Sequence, residues 1–293
     1  MKVETYKVYN PNAIVEINLS DEIKRAFTRT DQIINLIGEI NPEITKKYLS
    51  AVKKRLTEIV KDFSMDTSAF DLNEMNNDLK NLKNHLDLQI LILQFLSKQL
   101  DLPKDFQLGS EKIEVLSLNY IKSFRRLSYY YVKAFADVLG NEQGTQLWKK
   151  VVALQLKDAR IKYEKARQEK IEQDKEDPTT LEMGEQQIKA WTKIGLGNFT
   201  VAIFDDNKIL YRFDSCLTHE ALKDLNDPDF AYLCSCYQSD VEGYNYKNPY
   251  LRRTQTLHHG DFCDELYWDP RVYNDPEQPS LEFTRKLGEK LKK

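Results

Sequence analysis

Cysteine is absent from the first 215 residues of this 293-residue chain. A secreted disulfide scaffold spreads its cysteines along the chain, so none is expected here. Glycine is scarce, with ten residues against a usual share near 7%. No Gly-x-Gly-x-x-Gly or Walker A string is present, so nucleotide-dependent chemistry is not expected. Gly-x-Ser-x-Gly and His-Glu-x-x-His are also missing. Positive charge is not in excess: 43 Lys and Arg face 46 Asp and Glu, a net charge of −3. Nothing therefore draws the chain to phosphate backbones, and nucleic acid is not an expected partner. Long apolar runs are missing too. The densest, Leu86 to Leu96, is broken by Asp87, Gln89 and Gln94 and is well short of the roughly 20 residues a bilayer requires. No membrane partner is expected. The opening stretch MKVETYKVYNPN has no apolar secretion core. The expected location is the cytoplasm, with the thiols reduced.

What is present suits a folded protein. Hydrophobic residues make up 41% and charged residues 30%, enough for a core in one or two domains. The periodicity predicts an α+β protein, with a mainly helical region over 1–177, a smaller α+β site domain with antiparallel strands over 178–270, and a tail over 271–293. Helices are expected from Asp21 to Ile40 with Ser20 as N-cap, from Pro42 to Phe63, from Leu72 to Leu100, from Ser110 to Leu139, and from Asn141 past Lys170. Ser64 to Asp71 reads as a loop. The Leu86 to Leu100 half of the third helix is apolar almost all round and should be buried, within one chain or between two, so a homo-oligomer is compatible with it. Gly140 should close the fourth helix in the αL conformation. In that helix Tyr120, Phe124, Tyr129, Tyr130, Tyr131 and Phe135 read as core or as a pocket lining. His85 reads as a satisfied core or boundary residue. From Lys162 to Asp177 mixed charges leave no apolar face, as in a solvated helix end and linker.

Thr179-x-x-Glu182 is a capping box that opens a helix to Ile194. The period then changes to two. FTVAIF and KILYRF flank Asp205-Asp206-Asn207, a hairpin signal. Short helices follow from His219 to Leu225 and from Asp229 to Val241. Strands are expected from Leu251 to Leu257 and from Phe262 to Trp268, and a basic helix ends the chain.

All four cysteines and three of the four histidines lie between Cys216 and Cys263. The order is Cys216-x-x-His219, Cys234-x-Cys236, then His258-His259-Gly-Asp-Phe-Cys263. Two chemistries fit. A zinc ion could take Cys216, His219, Cys236 and Cys263 as ligands, although the spacings are not those of zinc fingers. Alternatively, a thiolate activated by a histidine could attack an electrophilic carbon. Cys234 reads equally well as a small buried hydrophobe. Asp240, Asp261 and Asp264 could orient an imidazole or act as bases. Arg252 and Arg253 precede Thr254 on an expected strand, where faces alternate, so one arginine should point inward and could hold a substrate carboxylate or pair with a structural acid.

Phe199 to Trp268 resembles the L-2-amino-thiazoline-4-carboxylic acid hydrolase family. The resemblance rests on the strand ending at Cys216, the helix His219-Glu-Ala-Leu-Lys-Asp-Leu225, Cys236 before Asp240 and Gly243, and above all Arg253-Thr-Gln-Thr-Leu257 with Gly260-Asp261 and Cys263-Asp264. It implies hydrolytic opening of a small cyclic amidine at a carbon–nitrogen bond. On that basis Cys216 or Cys263 would be the nucleophile or a metal ligand, and His219 or His259 the base or acid. Asp240 or Asp261 would be the orienting carboxylate, with Cys236 in the same catalytic set. Arg253 would anchor the substrate carboxylate, with Thr254 and Asp264 also binding substrate. No cofactor is required, and zinc is compatible. A non-catalytic zinc- or ligand-binding module on the same fold is the alternative. The expected partner is a small molecule carrying a carboxylate.

Overall fold

The computed structural model describes residues 1–66, 72–106, 112–171, 178–240 and 250–288. Two strands open the chain, β1 (Lys2–Lys7) and β2 (Ile14–Asn18). Helices α1 (Leu19–Ile40), α2 (Thr45–Val60), the short α3 (Leu72–Asn76) and α4 (Leu86–Gln99) follow. Strand β3 (Lys112–Leu116) leads into α5 (Ser117–Leu139) and α6 (Asn141–Ile171). Next come α7 (Thr180–Ile194), β4 (Asn198–Asp205), β5 (Lys208–Phe213) and the short α8 (Leu217–Glu220). Helices α9 (Pro228–Ser235) and α10 (Tyr237–Asp240), strands β6 (Tyr250–Arg252) and β7 (Cys263–Trp268), and helix α11 (Leu281–Gly288) complete the described elements. The architecture is α+β, with the helices mostly in the first part and an antiparallel sheet formed mainly by the last. None of the helices among the described residues is long and apolar enough to cross a membrane.

The chain divides into two compact units, Ile14–Leu154 and a second made of Met1–Ala13 with Gln155–Lys293. In the helical unit, α1 begins two residues before Asp21, and its N-cap is Asn18 rather than Ser20. The Asn18 side chain accepts the Asp21 N–H at 3.2 Å. The expected inner face of Ile23, Phe27, Ile33, Ile34 and Ile37 is buried. Helix α4 is buried along Leu88, Ile92, Leu93, Phe95 and Leu96 and packs on α2 and α5.

The helix expected from Leu72 to Leu100 is broken. Asp31 of α1 takes the backbone N–H groups of Lys80, Asn81 and Leu82 at 3.1, 2.7 and 2.7 Å. Those amides would otherwise continue the helical ladder, so the chain turns through a 3-10 segment before α4 restarts. The fourth helix also starts later than expected. Its first residues form β3, which pairs antiparallel with β2 and buries Ile113 and Val115 beside Val15 and Ile17. The Lys-Ile-Glu-Val-Leu alternation has the strand period. The end of the Ser64 to Asp71 loop and Ser110 lie outside the described residues.

Gly140 has a positive φ of 80°, as expected of the helix end, but its ψ of 163° is extended, not αL. Four residues later Gly144 lets α6 approach α5. A Cβ there would lie 2.7 Å from Ala136 N and Phe135 C, which are backbone atoms. Gly144→Ala is therefore expected to cost about 1–3 kcal/mol through overpacking. The midpoint of urea unfolding at unchanged m-value checks this. Tyr129, Tyr131 and Phe135 are core residues. Tyr120 and Phe124 instead line a cavity of about 280 Å³ together with Glu22, Arg25 and Leu127, inside the helical unit.

The second unit is built on a five-stranded antiparallel sheet of order β1-β4-β5-β7-β6. The β4–β5 hairpin forms as its sequence requires, and the capping box closes reciprocally at Thr179 and Glu182. One sheet face presents Phe199, Val201, Ile209, Tyr211, Phe213, Leu251, Cys263 and Tyr267, with Leu181, Ile188 and Trp191 of α7 packed on them. Trp191 stands edge-on to Phe199, Tyr211 and Phe213, with ring centroids 5.5, 5.2 and 5.1 Å away. The opposite face presents Ala202, Leu210, Leu266 and Trp268 and receives Phe283 and Leu287 of α11. Arg212 on that face is buried. It donates to the carbonyl oxygens of Thr284 and Arg285 near the end of α11 and lies 4.4 Å from the centre of the Phe262 ring.

Strand β6 is shorter than expected, and Arg253 to Leu257 leave the sheet. Asp264 holds this turn: its carboxylate accepts the N–H groups of Thr254 and Gln255 at 2.9 and 2.8 Å, and the Thr254 hydroxyl. The helix expected from Asp229 to Val241 is divided into α9 and α10, with Val241 outside the described residues.

Candidate active site

Strand alternation sets the first part of the site. Cys263, Glu265 and Tyr267 alternate along β7 and share a face, while Asp264 points to the other side. Glu265 accepts from Arg253 Nη2 at 2.5 Å and from the Tyr267 hydroxyl at 2.9 Å, and the Cys263 thiol points at it from 3.8 Å. The other Arg253 terminal nitrogen donates to Asp240 at 2.5 Å, and the Tyr232 hydroxyl donates to the same carboxylate at 3.0 Å. The Arg253 side chain is 5% exposed, Glu265 13% and Asp240 17%. The result is a buried carboxylate–guanidinium–carboxylate bridge that ties α10 to β7.

Electrostatics follow from this burial. Burial works against the Arg253 charge, but its negative neighbours, Glu265 first, outweigh it and keep the guanidinium protonated. Burial raises the Asp240 carboxyl above the ordinary range, with Arg253 and the Tyr232 hydroxyl opposing the rise. Burial pushes the Cys263 thiol well above its ordinary value, so it is a neutral thiol. Burial also raises Cys216. There the backbone N–H groups of His219 and Thr218 and the Thr218 hydroxyl oppose the rise.

The second part gathers around α8 and α9. Cys216 is the N-cap residue of α8, and His219 is on the helix's third position. His219 Nδ1 lies 3.4 Å from His258 Nδ1, with the rings tilted by 57°. His258 Nε2 lies 3.0 Å from Ser235 Oγ, and that oxygen is 3.5 Å from the Cys236 sulfur. Burial lowers the His219 pKa below its ordinary value, so the ring is neutral at pH 7.

Several expectations change here. Arg253 is the inward arginine of the pair, while Arg252 bonds Asp275 and the Pro276 carbonyl. But the terminal nitrogens of Arg253 are already held by two carboxylates. Thr254 and Asp264 bond each other and, through Asp264, Gln278 at 2.9 Å, so their groups serve the turn. His259 is not beside His219. It is 40% exposed and pairs with Asp229 at 3.0 Å, and its neighbour His258 takes the inner place. Asp261 is exposed. Cys234 is buried and its thiol bonds the Ala231 carbonyl at 3.3 Å. His85 is half-buried at the start of α4, in the helical unit.

Zinc does not fit the expected ligand set. Among the described residues no group of three or more His, Cys, Asp or Glu side chains is placed to hold a metal ion. The imidazole nitrogen of His219 nearest a partner faces another imidazole, and the Cys263 thiol faces a carboxylate and a guanidinium.

Glu265 and Ser235 were missed by the sequence reading. For Glu265 the signal was available: it lies two positions from Cys263 on a strand and so shares its face. The choice of His258 over His259 depends on a turn whose geometry no periodicity carries.

The assembly is that of an α+β protein whose thiol, imidazole and buried ion-pair groups converge from one strand, three short helices and the turn that precedes β7. The chain belongs to the L-2-amino-thiazoline-4-carboxylic acid hydrolase family, whose model matches residues 120–267. No curated protein and no solved structure matches it.

Proposed function

We propose that this protein is a hydrolase that opens a small, carboxylate-bearing cyclic amidine of the 2-amino-thiazoline-4-carboxylate type. Family membership supports the reaction class. The observation that carries the site is the placing of Cys216 at the N-cap and His219 on the third position of one short helix, with a neutral imidazole three residues from a thiol that burial raises and that the N–H groups of Thr218 and His219 pull back toward its ionised form. Water adds to the amidine carbon, or the Cys216 thiol adds first and water then displaces it from the opened intermediate as the sulfur regains its proton, and in either case a base takes the proton from the attacking atom. Collapse of the adduct at the ring carbon–nitrogen bond requires that this proton reach the nitrogen. Arg253, held by Asp240 and Glu265, keeps one buried positive charge beside the Cys263 and Cys236 thiols.

The test is incubation of the protein with 2-amino-thiazoline-4-carboxylate, followed by mass spectrometry and thiol titration. A gain of one water without a new thiol is the result expected for carbon–nitrogen opening. A gain of one water with a new thiol would move the cleavage to the carbon–sulfur bond. No gain on this compound or on related cyclic amidines would remove the hydrolase reading.

Cysteine variants separate the thiol from the water route. On the thiol route Cys216→Ala is expected to lower kcat/KM by about 10²-fold or more, as loss of a nucleophile does. Cys263→Ala should affect stability more than turnover, because its thiol is buried and neutral. Near-normal kcat/KM in Cys216→Ala, Cys236→Ala and Cys263→Ala alike would rule out a thiol mechanism.

A further inference from the structure

We infer that Ser235, His258 and His219 form a hydrogen-bonded line that fixes His219 in the tautomer with a bare Nε2, making that nitrogen the base of the site and Ser235 and His258 its positioning residues. The role as base rests on the hydrolase reading above, whereas the tautomer does not.

The argument counts hydrogens. A serine hydroxyl has one hydrogen to donate, a carbonyl oxygen has none, and a neutral imidazole has one ring N–H. Ser235 Oγ lies 2.6 Å from the Ala231 carbonyl oxygen, one turn back on α9. Two oxygens so close attract only if the serine hydrogen lies between them. The hydroxyl is therefore committed to Ala231, and Ser235 can only accept from His258. The 3.0 Å contact then requires a hydrogen on His258 Nε2. Above the ordinary imidazole pKa the ring carries one hydrogen, which leaves His258 Nδ1 as a lone pair. His219 Nδ1, 3.4 Å away, must supply the hydrogen to that lone pair. His219 Nε2 is left without a hydrogen, and it has no hydrogen-bond partner among the described residues.

The surroundings keep this ring neutral. Burial disfavours the imidazolium, and Glu220 and Lys223, its charged neighbours, act in opposite senses. On the other side, among the described residues, stand His258 and, behind it, Ser235. Ser235 is 7% exposed, so bulk water does not readily replace its bond to His258. The same line works during turnover. His219 Nε2 takes the proton as the attacking oxygen or sulfur bonds to carbon, and the positive ring is held through Nδ1–H by the His258 lone pair. The proton then passes from Nε2 to the ring nitrogen as the carbon–nitrogen electron pair moves onto that nitrogen. No proton is gained or lost overall.

The experiment is long-range ¹H–¹⁵N spectroscopy of the imidazole side chains in the full chain without substrate, just above neutral pH. The chain has four histidines, so single His→Gln variants assign every signal. The expected pattern is protonated Nδ1 and bare Nε2 for His219, with the reverse for His258. In Ser235→Ala this pattern should be lost, and kcat for amidine opening should fall by about 10²-fold, the cost of a misplaced catalytic group. Ser235→Thr, which retains the hydroxyl, should restore both. A hydrogen on His219 Nε2 in the unmodified chain, or an unchanged imidazole spectrum in folded Ser235→Ala, would overturn the proposal. If Ser235→Ala does not fold, the spectrum of the unmodified chain and the Ser235→Thr variant decide the matter. The expected tautomers without amidine turnover would support the line and remove the substrate class, whereas the opposite tautomers with turnover would do the reverse.

Discussion

Arg253→Met is expected to destabilise the protein by about 3–5 kcal/mol, the usual result of breaking a buried ion pair from one side. Arg253 is the shared partner of Asp240 and Glu265, at 2.5 Å from each. Without it, two carboxylates remain in a region that excludes water, and each is left with little beyond a tyrosine hydroxyl. Burial already raises the Asp240 carboxyl; without the guanidinium it should rise further, and the variant should recover stability as pH falls and the carboxylates take up protons. The sign follows from linkage: a folded-state pKa above the unfolded one favours folding on the acid side. Glu265→Gln added to Arg253→Met removes one of the stranded charges and should return part of the loss. Urea unfolding at two pH values measures all of these. A loss below about 1 kcal/mol would be that of an exposed pair and would show that water reaches the bridge.

The second large effect is expected at Asp264. This carboxylate is fully buried and accepts from two backbone N–H groups, one hydroxyl and one side-chain amide. Asp264→Ala leaves those donors facing a void, at about 1–3 kcal/mol for each buried group that stays unsatisfied. A total loss on the order of 4 kcal/mol follows. Asp264→Asn retains one accepting oxygen and should lose roughly half as much. The turn that Asp264 holds begins at Thr254, next to Arg253. Activity should therefore fall in both variants more than the folded fraction does, and kcat/KM measured on the folded fraction separates the two effects. Equal losses in activity and folded protein would make Asp264 purely structural.

Both predictions concern residues that the family resemblance implied to be substrate contacts and that the structure ties to groups of the protein's own. On an inward strand position Arg253 read either as a ligand for a substrate carboxylate, the role the family resemblance implied, or as the partner of a structural acid. The structure gives it two carboxylates of the protein's own, one from α10 and one from β7. Thr254 and Asp264 read as substrate contacts and instead bond each other.

The sequence by itself determined what depends on near neighbours. The α7 capping box, the β4–β5 hairpin, the inner face of α1 and the apolar α4 are each fixed by residues a few positions apart, where hydrogen-bond reach and side-chain period apply directly. So was the gathering of cysteines and histidines into one stretch. Tertiary structure decided whatever depends on distant partners. Asp31 breaks a helix fifty positions away by taking its amides. Strand β1 joins the sheet through β4, nearly two hundred residues on. His258 rather than His259 meets His219, because the turn before β7 is held by Asp264. In these cases a polar group is satisfied by a group remote in the chain, and a local pattern carries no record of that partner.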